Sequence, residues 1–132
     1  TDADADADGD VDSDVTFSGT ISAHVWYDGQ YGTFDGDCPG SLTVVWSAAD
    51  RLTGSGQCSL DHQYDLPFTI DGSGGGGSIS GDLVMTSDGT DYKTPFTGSG
   101  KPNTTLNANY DNTVRDGGDS IRIAGTWTAE PQ

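Results

Sequence analysis

The sequence predicts an all-β fold, an antiparallel β-sandwich or small barrel of about eight strands, led by an acidic extended N-terminal segment. Three observations predict it. Apolar residues alternate with Thr, Ser, Asp and Asn in stretch after stretch, the two-residue period of a half-buried strand. Twenty glycines, with many Ser and Asp, punctuate those stretches, and these are the residues that turns select. No stretch repeats its apolar residues with a helical period.

Taken in order, residues 1–14 form the acidic segment and residues 15–132 a single Gly-rich β domain. Val15, Phe17, Ile21, Ala23 and Val25 share one parity and mark a long first strand, bent at Gly19. Asp28 to Gly40, with four glycines and a proline, reads as a loop. Leu42, Val44 and Trp46 mark the second strand, about Thr53 to Leu60 the third, and Tyr64, Leu66, Phe68 and Ile70 the fourth. Asp71 to Gly77 is nearly pure Gly and Ser and reads as a flexible turn. Ile79, Gly81, Leu83 and Met85 give the fifth strand, and Tyr92, Thr94 and Phe96 the sixth, which Pro95 assigns to an edge or bulge. Leu106, Ala108 and Tyr110 form the seventh; Ile121, Ile123, Gly125 and Trp127 form the eighth. Inward candidates for one modest core are Phe17, Ile21, Leu42, Val44, Trp46, Leu66, Phe68, Ile70, Leu83, Phe96, Ile121, Ile123 and Trp127. Short echoes such as Thr53-Gly54-Ser55-Gly56 and Thr97-Gly98-Ser99-Gly100 define no repeat period.

Composition bounds the function. The formal net charge of −16 argues against nucleic acid and anionic membrane surfaces as partners. No apolar run reaches membrane-spanning length, so no membrane insertion is expected. Asp dominates the acidic residues, Glu130 being the single Glu, which suits turns better than helices. Cys38 and Cys58 are the two cysteines. In an oxidising compartment they are expected to form a disulfide, which by loop closure contributes about 3 kcal/mol. The composition as a whole predicts a secreted, extracellular or cell-surface protein.

The acidic segment poses the sharpest question. Asp2, Asp4, Asp6, Asp8, Asp10, Asp12 and Asp14 occupy every even position. An extended chain would place all seven carboxylates on one face, which repels itself unless cations or a partner neutralise it. Asp4, Asp6, Asp8, Gly9 and Asp12 fit D-x-D-x-D-G-x-x-D. This resembles the calcium loops of dockerins and thrombospondin type 3 repeats and the front half of an EF-hand, implying Ca²⁺ as the ion. Val15 stands where an EF-hand places its bidentate Glu, so a full EF-hand is not expected. Such Asp-rich leads are also similar to the spacers that follow the lipidated cysteine of bacterial surface lipoproteins.

Other acidic pairs, Asp35 with Asp37, Asp88 with Asp91 and Asp116 with Asp119, are ordinary turn chemistry first and cation sites second. No enzyme is expected: a glycosidase needs two positioned carboxylates, nothing selects a serine for His24 or His62, and Gly72 to Gly77 lacks the lysine and helix of a phosphate loop. Trp26, on the parity opposite Val25, with Tyr31 and Phe34 beyond it, is a candidate contact for a sugar or a partner. Asn103-Thr104-Thr105 is a glycosylation sequon.

The reading that follows is a subunit of an extracellular fibre or surface assembly, a homo-oligomer or filament joined to other copies of itself through the N-terminal segment, with Ca²⁺ neutralising the Asp face. Its alternatives are a calcium-assisted carbohydrate-binding module that takes glycans and a tethered surface lipoprotein domain whose acidic lead is a spacer.

Overall fold

A computed structural model describes residues 14–132, Asp88 apart. Its eight strands are β1 (Val15–Gly29), β2 (Gly32–Ser47), β3 (Arg51–Leu60), β4 (Tyr64–Gly75), β5 (Ser78–Ser87), β6 (Thr90–Ser99), β7 (Leu106–Asp116) and β8 (Asp119–Pro131). Each pairs antiparallel with the next, and β8 returns to β1 from Phe17↔Pro131 to Asp28↔Ser120, closing a barrel. Of the two expected architectures the barrel is the one formed. Closure gives every strand two neighbours and removes the sheet edges that a sandwich keeps.

The thirteen expected core residues are all buried inside. Leu52, Ile79, Met85, Leu106, Ala108, Tyr110 and Ala129 join them, with the two cysteines. Outward positions carry Thr, Ser, Asn and Asp, among them Thr43, Thr69, Asp71, Asn107 and Thr126. That polarity is the inverse of a membrane-spanning barrel, which turns its apolar side outward. Among the described residues no helix is long and apolar enough to cross a membrane.

Two expected loops are strands. Asp28 to Gly40 is mostly β2: Phe34, Gly36 and Cys38 face inward while Thr33, Asp35 and Asp37 face out. Small inward residues hid this alternation from a hydrophobicity pattern. Asp71 to Gly75 likewise continues β4, leaving only Gly76 and Gly77, at φ 63° and 85°, as the turn. Inward glycines let the sheet coil tightly. A Cβ at Gly98 would collide with the backbone of Asn107 on β7.

The barrel is not equally closed along its length. The hairpins β1–β2, β3–β4, β5–β6 and β7–β8 are paired to their tips. Between hairpins the ladders stop early: β2–β3 at Gly40↔Cys58, β4–β5 at Phe68↔Met85, and β6–β7 at Phe96↔Tyr110. A proline immediately precedes each stop, Pro39, Pro67 and Pro95, at equal intervals along the chain. Proline has no N–H to give a ladder, so the regular register breaks there; at the first seam one isolated backbone bond, Asp61 N–H to Asp37 O at 2.9 Å, is made beyond it. One pole therefore splays into a four-stranded wall (β7, β8, β1, β2) and two hairpins, with three seams between them. The Cys38–Cys58 disulfide, Cα atoms 5.1 Å apart, crosses the first seam where its ladder ends. Asn112 Nδ2 bridges the third by donating to Lys93 O at 3.0 Å.

Candidate functional site

The splayed pole holds a basin of about 340 Å³ lined by Val25, Leu60, Leu66, Met85, Ile121 and Ile123 below and Tyr27, Tyr31, Phe34 and Tyr92 above. The local sequence explains the opening. Beyond the prolines the regular ladders no longer join neighbouring hairpins, and inward side chains that would fill a closed barrel line a depression instead. Tyr31, Phe34 and Tyr64, 85%, 55% and 62% exposed, are the large hydrophobic side chains left in solvent among the described residues. All three stand at this mouth. Phe34 stacks on Tyr27 with ring centroids 5.2 Å apart. Tyr64 lines a second depression with Leu60, Asp65, Leu66, Pro67 and Ser87, which opens sideways through the β4–β5 seam.

Polar groups enter the basin from one side. Asp119, at the start of β8, accepts the Gln30 N–H at 3.1 Å and so ties the β1–β2 tip to the β7–β8 tip. The Tyr27 hydroxyl is buried without a hydrogen bond of ordinary geometry. Burial first, and the neighbouring Asp119 carboxylate second, raise its pKa above the usual phenol value. On the β3–β4 tip Asp61 and His62 both hold left-handed backbone, φ 56° and 59°, and Gln63 N–H closes the turn on Leu60 O at 2.9 Å. Non-glycine residues there carry strain.

A second group of side chains lies on the outer wall. His24 sits between two carboxylates, Nδ1 to Asp37 and Nε2 to Asp35, each at 2.6 Å. A neutral imidazole offers one N–H, so holding both carboxylates requires the cation. The hydrogen bond to Asp35, then that to Asp37, raise its pKa. Trp26 lies beside it, 4.3 Å between ring centroids, and the Arg122 guanidinium covers Trp26 at 4.4 Å. Arg122 in turn grips Asp111 through two hydrogen bonds of 2.9 and 2.8 Å and holds that carboxyl below its usual range.

The structure places the sequence candidates as follows. Tyr31 and Phe34 belong to the mouth, whereas Trp26 lies on the outer wall under Arg122, so the three do not form one platform. Asp35 and Asp37 are occupied by His24. Asp14 is exposed just before β1. Asp2, Asp4, Asp6, Asp8, Asp10 and Asp12 lie outside the described residues, as does Asp88; no group of three metal-ligating side chains is found among those described. Alternation marks Tyr64 and Tyr92 only as strand residues, and turn chemistry marks Asp119 only as a pair with Asp116; neither assigns them to a mouth, and Tyr27 is not singled out. The three evenly spaced prolines were the available signal, because they mark the seams that open the mouth.

Fold and mouth define a class: a closed eight-stranded antiparallel barrel, apolar within, with one aromatic open end. Among solved structures the chain is similar to the vaccine antigen transferrin binding protein B of Haemophilus parasuis Hp5. In a double mutant with a tyrosine and a tryptophan replaced by alanine, the TM-score is 0.63 at 14% identity, covering 92% of this chain and 26% of that one. Isotype 1 transferrin binding protein B from serogroup B Neisseria meningitidis gives 0.57 at 15% identity, covering 94% and 27%. The chain thus spans about a quarter of these proteins, and what it shares with them is the barrel fold. No protein-family model matches the chain, and no curated protein sequence does.

Proposed function

We infer that this barrel is a surface-presented binding domain that docks a protein partner at its aromatic mouth and stands off its attachment on the acidic N-terminal segment. The observation that carries this is polar. The three exposed aromatic side chains gather at one end, while β1 begins at the other, beside the β2–β3 turn, as the pairing Val15↔Trp46 fixes. A chain held through residues 1–14 would turn its mouth outward. Clustered exposed aromatics are the ordinary mark of a protein interface. The similar solved structures are of a vaccine antigen named for binding transferrin, itself a protein, which supports a binding role over a catalytic one. Nothing among the described residues supports the fibre-subunit reading, and joining copies that each carry −16 is opposed by their own repulsion.

Biolayer interferometry on chain immobilised through its N-terminus, against transferrin and a panel of purified serum proteins, tests the reading. A saturable partner should lose at least about tenfold in affinity with Tyr31→Ser, Phe34→Ser and Tyr64→Ser combined. Unchanged binding in that variant would move the docking face elsewhere. Calcium uptake by the Asp ladder belongs to the same proposal, since alternate carboxylates supply hard oxygens. Calorimetric titration with CaCl₂ should give heat with the full chain and none after deletion of residues 1–14; equal heats would end that part.

A further inference from the structure

We propose that the mouth receives a lysine or arginine side chain from a basic segment of its protein partner, an inference that rests on the mouth being the docking face. The basin offers two kinds of surface at once. Its aliphatic floor and tyrosine walls suit an alkyl stem. Its acidic groups suit the charge at the end of that stem. Asp119 stands on the basin wall, Asp65 lines the side opening, and Asp28 and Asp61 sit exposed at the tips above. Among the described residues the ion pairs engage Asp35, Asp37, Asp71, Asp82 and Asp111, and none reaches these four. A half-buried carboxylate such as Asp119 has given up part of its hydration without a counter-ion, and a cation seated beside it restores the balance.

Exposed rings add a second attraction, because the electron-rich face of a tyrosine or phenylalanine ring draws a cation placed over it. The same molecule shows the arrangement on its outer wall, where Arg122 lies over Trp26 while its Nε and Nη2 donate to the two Asp111 oxygens. At the mouth the ring and the carboxylate are present and the guanidinium is what a partner would bring. Charge decides against the other occupants. A second copy of this chain, a nucleic acid or an anionic membrane would each meet an acidic rim with more negative charge. A neutral sugar would use the rings and leave the carboxylates uncompensated.

Amide NMR titration of the intact chain with blocked peptides that differ at one central residue, Arg, norleucine or Glu, and with maltose, tests the proposal. The Arg peptide should shift the amides of Tyr31, Phe34 and Asp119. Its affinity should fall about tenfold between low salt and about 0.5 M, and about tenfold again in the Asp65→Asn, Asp119→Asn double variant. Asparagine at 119 keeps an oxygen for the Gln30 N–H, and Asp65→Asn alone leaves that contact untouched, so loss of fold is separable from loss of charge. A norleucine peptide that binds as well as Arg overturns the cation and leaves the docking face standing. Maltose shifting these amides where Arg does not replaces the proposal with sugar binding. Silence of the mouth towards every peptide overturns it too, and the aromatic triple variant judges the docking face separately.

Discussion

Single residues set the tolerance of this barrel to change. Gly98 faces inward where β6 meets β7, and its missing side chain is what lets Asn107 approach. Gly98→Ala forces strand separation, and a loss of about 3 kcal/mol is expected, read as a shifted midpoint in urea denaturation. A midpoint unchanged from wild type would show that the strands part cheaply. His24 makes stability pH-dependent. Its folded pKa lies above 6.5 because Asp35 and Asp37 favour the cation. The contribution is complete below pH 6.5 and drains away as the pH climbs through the raised folded value, since the folded state then binds the proton that the unfolded state has released. The melting temperature followed between about pH 5 and 9 should fall across that window in wild type and lose that component in His24→Gln.

At the scale of strands and seams, the prolines explain why the barrel opens at one pole. Replacing Pro67 and Pro95 by threonine restores a donor at two seams, which permits the β4–β5 and β6–β7 ladders to extend towards the mouth. Hydrogen exchange should then reveal newly protected amides in the mouth-side halves of β5 and β7, and the basin should shrink. Exchange unchanged from wild type would mean that the flanking tips, not the prolines, hold the seams apart. Much of this level was readable in advance. Alternation located eight strands, because Phe17, Val44, Ile70 and Trp127 are large residues at strict period two. It failed at Asp28–Gly40 and Asp71–Gly75, where Phe34 is the one large inward residue and Gly36, Cys38, Gly72 and Gly74 are too small to carry the alternation on. The mouth was half legible. Tyr31 and Phe34 declared themselves as aromatics in a supposed loop, but Tyr64 and Asp119 are far away in sequence and meet the others only through barrel closure, and parity alone could not say that Trp26 belongs to a different surface.

For the molecule as a whole, acidity is the dominant physical fact. Its 21 acidic residues outnumber five Lys and Arg, so self-repulsion weighs on the folded state. Raising NaCl from about 0.05 to 1 M should increase the melting temperature by several degrees as screening lengths shorten, with a smaller rise after removal of residues 1–14. A temperature that stays level in both would show that repulsion is not limiting. The closing ladder has a further consequence. Phe17 pairs with Pro131, and Gln132 N–H reaches Thr16 O at 3.0 Å, so the polypeptide runs nearly as a ring whose first and last strands lie side by side. Such a path can be spliced into a loop of another protein, or cut at Gly76-Gly77 and rejoined at its old ends, without moving a strand. No strand of this barrel is privileged as the place to start.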